Sequence, residues 1–480
     1  MAALTLSFTG GMPEPGALPP TMTTFQLVMQ IMKMTFSLSL VQIAQFSLGI
    51  TMVAVAGTIG VRELGGTSLG YTIISSTAFA FGAGISGALE TLLSHEYGMN
   101  PNSKMYGVYT QRMFLLLLIV YLLLTPAILF TDRLLIAIGQ QAEVVCFTGE
   151  FCRFAVWGCF FCTMLEMIRR YFACQGMGTS LSVGLILAAA LFPPILIGCV
   201  KLMGYTGIGV GWTLLMMLTC GGLVLYLIVT KKYTNTWSGW SDAAFHDWGH
   251  ITRLAIPSMC MMLSEWVALE VNTICAGFGT KEELAAFGVS TQVSGMCWSI
   301  ASGTYMAASV MVGTAIGEGR PLLARRAACF CLIISLVISL VNVTVIVSTQ
   351  NYFLLLFTHD EQVIAIIKSM IKYMVVYHIF DVFQSCMMGV LRGCGMQKQG
   401  AIVIFIIYSF LGVPLGIVLF FFSDLGIQAL WLGPTVGVTL VGFPIYLYIY
   451  MYYIKWELLK PQTDGSGAHV VVVTPHQNAE

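Results

Sequence analysis

Charge is what this sequence has least of. Only 9% of its 480 residues are Asp, Glu, Lys or Arg, against about 25% in a soluble globular protein. The 22 basic and 22 acidic side chains cancel, so the balance points to no nucleic acid or acidic partner. Alternation broken by turns every ten residues is missing, which excludes an outer-membrane barrel. No metal-ligand cluster and no nucleophile–base set appears in the apolar segments, which argues against an enzyme and against a metal or cofactor. The opening "MAALTLSFTGGMPEPGALPPTMTT" has no basic stretch followed by an apolar core; it reads as a short disordered tail rather than a signal peptide, and the end from "KPQTDGSGAH" reads the same way.

What fills the chain is apolar. Hydrophobic residues make up 57%, the mean hydropathy is +0.85, and apolar runs of membrane-crossing length, about 20 residues, recur. The fourteen cysteines are scattered through these runs. Cys159 and Cys162 form a CxxC, but mid-helix among aromatics, where packing is the expected role. The pattern predicts an all-α membrane protein with twelve spans, at 25–57, 68–93, 112–130, 144–174, 178–202, 205–230, 254–279, 283–313, 323–348, 363–391, 399–422 and 426–454. The expected domains are a tail (1–24), a first lobe (25–230), a polar linker (231–253), a second lobe (254–455) and a C-terminal tail (456–480).

Fifteen Lys and Arg residues fall in the tails, the even-numbered loops and the helix ends beside them; four fall in the odd-numbered loops. The positive-inside rule then puts both termini in the cytoplasm. The halves repeat. A shift of 220 residues sets Lys33 on Arg253, Gln45 on Glu265, Gly57 on Gly277 and Glu63 on Glu283. Six intervening spans preserve direction, so the lobes are parallel repeats about a pseudo-twofold axis along the membrane normal, with a cavity between them. That architecture belongs to transporters.

Acids inside spans are the exceptions that need a reason. Glu150 is expected to pair with Arg153, and Glu166 with Arg169 or Arg170, at helical spacing. Glu265, Glu270 and Asp381 have no cationic neighbour in sequence. Glu265 follows the entry of helix seven at Arg253 by about 18 Å of helical rise, and Asp381 precedes the exit of helix ten at Arg392 by about 16 Å. Both therefore lie near mid-bilayer in the second lobe. An ionised acid at that depth costs about 3 kcal/mol or more, so such groups carry protons, bind a cation or tie helices together. The alternative is a structural acid satisfied by Ser264, Tyr377 or His378. Glu270 is about 140° around the helix from Glu265.

Several stretches resemble one family. "SGALETLLSHEYG" with "GVYTQR" is similar to a run of the plant and animal branch of the multidrug and toxic compound extrusion (MATE) family, matching at Ala88, Leu89, Glu90, Thr91, Leu92, Tyr97, Gly98, Tyr109, Gln111 and Arg112. "EWVALE", "RGCGMQKQGA" and "LWLG" resemble further family motifs, in order, from about residue 34 to 456. The resemblance implies a secondary exporter of organic cations, drugs or metabolites driven by H⁺, or in some branches Na⁺. It implies coupling roles for Glu265 and Asp381, and matches Glu270 to the second glutamate of the helix-seven motif. It implies cavity positions for Gln42 and Trp266, and a gate or structural tie at Glu90 and Arg112. Gln45, Gln292, Tyr305 and Tyr377 complete the candidate substrate contacts. The chain departs from the family at His95, Glu96, Val267, Met311 and Ala315. No acid lies within helix one, so a first-lobe proton site is not supported.

Two motifs fail on context. "GAGISG" fits GxGxxG but lies in a membrane helix, where close packing of small residues is expected. Asn342-Val343-Thr344 fits a glycosylation site but lies within span nine. The expected protein is a monomeric carrier in a plasma or organelle membrane. Its rivals are a Na⁺-coupled exporter, a flippase for lipid-linked sugars, whose cavity would be strongly cationic, and a receptor.

Overall fold

The computed structural model describes residues 22–137, 140 and 142–459. Most of the expected tails lie outside the described residues. Twelve long apolar helices are present: α1 (Thr24–Ile59), α2 (Val61–Met99), α3 (Met105–Leu129), α4 (Ala142–Cys174), α5 (Gly178–Met203), α6 (Thr206–Val229), α7 (Trp248–Ala276), α8 (Lys281–Gly317), α9 (Pro321–Phe353), α10 (Glu361–Gly393), α11 (Gln397–Phe422) and α12 (Gly426–Tyr453). No strand occurs among the described residues. Helices α2, α3 and α7 begin one to two turns before the apolar runs expected from sequence, because helix continues into the polar ends that hydropathy does not register.

Local chemistry sets the starts. Thr23 and Gln26 form a reciprocal capping box on α1, and Thr280 and Glu283 form another on α8. Asp360 Oδ1 accepts from the amides of Gln362 and Val363 at the head of α10. Within α11 and α12, π-helical turns at Phe405–Gly412 and Gly437–Gly442 end just before Pro414 and Pro444. A proline lacks the N–H for the i−4 carbonyl and its ring pushes that carbonyl away, so the preceding turn widens. A third π turn, Ser75–Phe79, interrupts α2.

The helices pack around two apolar cores. One is built largely from α1–α6, with Met113, Phe151, Phe172 and Phe192 at its centre; the other is built largely from α7–α12, around Met261, Met370, Ile407 and Tyr446. Outward faces carry exposed Phe36, Leu123, Leu202 and Phe410, as helices facing lipid do. The second half of α2 runs along α7 and α8 and closes the seam between the lobes. Small residues make this approach possible: a Cβ on Gly84 would lie 2.8 Å from Met259 Cα, and one on Gly98 would lie 3.0 Å from Gly317 Cα. The "GAGISG" glycines thus serve helix packing.

The polar stretch between α6 and α7 folds back on α3. Gln111 Nε2 donates to the Gly239 carbonyl, and the Arg112 guanidinium donates twice to the Ala243 carbonyl at 2.9 and 3.1 Å. The chain turns at Lys231 and Asp247, both in left-handed conformation (φ 54° and 57°). After α12, Trp456 is buried and its indole N–H donates to the Tyr450 carbonyl.

Candidate transport site

In the second lobe α7 supplies Glu265 and α10 supplies Asp381, both buried. Asp381 and Arg392 are the charged groups that act on Glu265. Among the described residues neither acid has an ion-pair partner within 4.0 Å. What Asp381 has instead is phenol: Tyr408 Oη donates to Asp381 Oδ1 at 3.1 Å, lies 2.8 Å from Tyr377 Oη, and accepts from Gln384 Nε2 at 3.2 Å. The Tyr446 hydroxyl is buried close by without a partner among the described residues. Tyr408 rides on the π turn of α11, which aims it at α10. A buried carboxyl group held by neutral donors, with a second unpaired carboxyl in the same lobe, can take up a proton or grip a small cation without breaking an ion pair.

Sequence reasoning missed Tyr408, although a lone phenol in the apolar run "AIVIFIIYSFLG" was a usable signal. It had offered Tyr377 and His378 as direct partners of Asp381. Tyr377 is beside Asp381 as expected, in the same phenol cluster with its hydroxyl 2.8 Å from Tyr408 Oη, whereas His378 faces Asn342 at 3.3 Å. Asn342 also donates to the Cys297 carbonyl and is buried within α9. Glu270 is half-buried on another face of α7 and has no hydrogen bond or ion pair from its side chain among the described residues.

The first lobe handles its charges differently. Glu166 pairs with Arg169 at 2.6 Å and with Arg170. Arg170 Nε also stands 3.3 Å from Glu90, whose other oxygen is 3.8 Å from Arg392 of the second lobe. Arg392 lies over the Tyr305 ring, 5.6 Å from its centroid. Gln45, at the repeat position of Glu265, accepts from Arg169 Nη1 at 2.5 Å, and Gln42 accepts from Arg169 Nη2 at 2.8 Å. The expected Glu150–Arg153 pair does not form. The short helix Thr131–Ala137 lays Asp132 against α4 beside Gly149, and Arg153 reaches it at 2.6 Å.

Between the lobes is a cavity of about 200 Å³. Gln42, Gln45 and Phe46 of α1, Tyr71, Ser75 and Phe79 of α2, Trp212 of α6, Trp266 of α7 and Trp298 of α8 line it. The π turn of α2 delivers both Ser75 and Phe79, and Phe79 packs on Trp266 with centroids 5.5 Å apart. Of the sequence candidates for substrate contact, Gln42, Gln45 and Trp266 line this cavity; Gln292, Tyr305 and Tyr377 do not. Gln292 is exposed, a turn beyond Gly295 on α8. Tyr305 stacks behind Trp298, and Tyr377 belongs to the phenol cluster at Asp381.

The MatE family model matches residues 37–197 and again residues 257–418, with starts 220 residues apart as in the internal repeat. The chain belongs to the MATE family. It is 31% identical to the human multidrug and toxin extrusion protein 1 over 421 residues, covering 85% of this chain and 73% of that protein. To the multidrug and toxin extrusion protein 2 of Oryctolagus cuniculus it is 30% identical over 436 residues, 88% of this chain and 70% of that protein. The crystal structure of the eukaryotic MATE transporter AtDTX14 superposes with a TM-score of 0.83 at 25% identity, covering 90% of this chain and 97% of that one. This MATE chain is therefore an integral membrane extrusion transporter with twelve spans, not an enzyme.

Four of the five positions where it departs from the family motifs, His95, Glu96, Met311 and Ala315, lie on the second halves of α2 and α8, at or near the lobe seam; Val267 is exposed on α7. His95 Nε2 donates to the Gly393 carbonyl at 2.8 Å, and its neighbour Glu96 accepts from Ser103 Oγ. Beside them Thr91 Oγ1 donates to the Arg392 carbonyl and accepts from Gln397 Nε2, each at 2.6 Å. Met311 and Ala315 pack on α8 within the second core. Glu90 meets Arg170 and Arg392 at this seam. Arg112 is away from it, on the linker, 3.8 Å from Asp247.

Proposed function

We propose that this MATE transporter exports organic cations, drugs or metabolites in exchange for H⁺, with Glu265 and Asp381 as the coupling site. The observation that carries the reading is the contrast in pairing. Among the described residues the buried acids Glu90 and Glu166 are held by arginine, whereas Glu265 and Asp381 have no ion-pair partner and Asp381 takes a hydrogen bond from Tyr408. A carboxyl group without a fixed cation can lose and regain charge without breaking the lobe.

The tight seam lies at the end that bears both termini. With the termini cytoplasmic, as the distribution of basic residues supports, this state is sealed from the cytoplasm. Protons arriving from outside neutralise the pair, substrate leaves, and rocking of the lobes returns the site inward, where the protons leave. Each charge moving across 100 mV contributes about 2.3 kcal/mol. The transporter acts as a monomer in a plasma or organelle membrane, and Glu270 is a secondary proton-handling position on α7. The cavity lining contains no Lys or Arg, which speaks against a carrier of phosphate-bearing lipids.

In proteoliposomes with an imposed pH gradient, Glu265→Gln and Asp381→Asn should each abolish gradient-driven efflux while the protein remains folded. Undiminished efflux, or efflux driven by a Na⁺ gradient alone, would overturn the assignment.

A further inference from the structure

The polar strap between α6 and α7 has no part in the exchange described above, yet its two ends mark one level. The apolar run of α3 extends from Met113 to Phe130. At helical rise that is about 27 Å, close to the ~30 Å of a bilayer's hydrocarbon core. Thr110, Gln111 and Arg112 stand directly before it. Phe114, the second residue of the run, is met edge-on by Trp240 of the strap, with ring centroids 5.8 Å apart. Further along the same side of α3, Leu118 is half-buried and Leu122 is exposed, as on a helix facing lipid. Trp240 is therefore at the boundary between hydrocarbon and headgroups. It is 60% exposed, and Phe245, five residues on, is exposed as well. Indole rings are favoured at that boundary.

At the other end, α6 leaves the apolar region through exposed Leu225, Ile228 and Val229. Lys231 and Lys232 follow at once. Lys232 Nζ donates to Tyr226 Oη at 2.9 Å and lies 5.2 Å from the centroid of that ring. Neither lysine has an ion-pair partner among the described residues. Between the ends the strap is fastened to the first lobe. Thr236 is buried; its hydroxyl is 2.7 Å from Tyr171 Oη and 3.3 Å from Gln175 Nε2. Lys104 Nζ donates to the Thr234 carbonyl at 2.5 Å, and Gln111 Nε2 to the Gly239 carbonyl at 2.8 Å. The aromatic and basic groups are thus held in position by the lobe itself.

We propose that this strap is a lipid-binding surface: it rests on the leaflet that faces the termini, with Trp240 inserted beside α3 and with Lys231 and Lys232 binding the phosphates of anionic lipids at the end of α6. The surface is continuous with the lipid-facing sides of α3 and α6, and it carries positive charge with no acid of its own to meet it, which fits a lipid leaflet better than a soluble partner. Asp242 and Asp247 stand at the Trp240 end, and Asp247 is 3.8 Å from Arg112, so the lysine end carries the preference for anionic lipid. With the termini cytoplasmic the leaflet is the cytoplasmic one, where each lysine near an anionic surface raises affinity about fivefold. The proposal goes beyond the exporter reading and does not depend on what is carried or on the coupling ion.

Two measurements on the full chain test the two contacts. In phosphatidylcholine vesicles a fixed fraction of lipid carries bromine at carbons 6 and 7 of one acyl chain. The tryptophan emission lost in the unaltered protein, less that lost in Trp240→Phe, reports Trp240; phenylalanine keeps a ring against Phe114. That contribution should be quenched strongly by this shallow bromine, less by bromine at carbons 11 and 12, and little by aqueous iodide. Quenching by iodide without quenching by bromolipid would overturn the membrane contact and indicate a surface open to water or to a soluble partner. In the second measurement, delipidated protein is titrated with phosphatidylglycerol or phosphatidylcholine and the adducts are resolved by native mass spectrometry. Phosphatidylglycerol should bind about tenfold more tightly. Lys231→Asn combined with Lys232→Gln should shrink that margin to about twofold. Asparagine tolerates the left-handed backbone at position 231 (φ 54°), and glutamine keeps a donor for Tyr226 Oη. Equal affinities in the unaltered protein, or an unchanged margin in the folded double variant, would overturn the lysine site. Both readouts need neither gradient nor substrate, so they stand apart from the efflux assay of Glu265 and Asp381.

Discussion

The two lobes descend from one pattern and use charge in opposite ways. At the repeat position on α1 and α7 the first lobe has Gln45 and the second has Glu265. Around Gln45 the acids Glu166 and Glu90 are locked by Arg169, Arg170 and Arg392 in a chain of ion pairs that crosses the seam. Around Glu265 no arginine closes the pair, and Asp381 leans on Tyr408. A buried acid with a fixed cation is part of the framework, because removing either charge strands the other. A buried acid satisfied by neutral donors can change its protonation without stranding anything. Membrane depth alone does not mark a functional acid; the partner does.

The comparison breaks most visibly at Arg170. Arg170→Met removes the cation shared by Glu90 and Glu166, leaving Glu90 only Arg392 at 3.8 Å and Glu166 only Arg169; breaking this buried network should cost about 3–5 kcal/mol, read as a collapse of thermal stability in detergent and loss of folded protein from the membrane. If Arg170→Met were as stable as the parent while Asp381→Asn unfolded, the roles assigned to the lobes would be reversed. Tyr408→Phe tests the other side at smaller cost. It removes the donor to Asp381 and the link to Tyr377, worth about 1–3 kcal/mol. Efflux under a fixed pH gradient should slow about tenfold while thermal stability falls only slightly. The smallest effect is expected at Gln45. Adding Gln45→Glu to the Glu265→Gln protein should restore no coupled efflux, since the new carboxylate would face Arg169 and stay ionised. Recovery of efflux there would show that an acid at this repeat position suffices, whatever its partner.

How much was legible beforehand follows the same division. The twelve spans, the 220-residue repeat and the Glu166–Arg169–Arg170 cluster were readable because they are local or periodic: apolar length, a shift in register, charges three and four residues apart on one helix. Glu265 and Asp381 were readable as a pair because helical rise converts sequence distance into depth. Sequence spacing failed where partners come from other helices. Arg153 chose Asp132 over its helical neighbour Glu150, because a short helix brought the aspartate closer. Tyr305 and Tyr377 carried plausible chemistry for a cavity, yet tertiary packing turned one behind Trp298 and the other toward Tyr408.

The sequence by itself determined that this chain crosses a membrane twelve times as two like halves, and that the second half keeps acids inside its spans without a cationic neighbour in sequence. Hydrophobic length and the expense of buried charge are properties of residues and their order. Only the tertiary structure decided what each buried group faces: arginine for Glu166, phenol for Asp381, and for Gln42 a guanidinium that takes its amide oxygen. A helix presents its side chains in every direction. Which direction meets a partner is set by the neighbouring helices, and spacing within one helix carries no information about them.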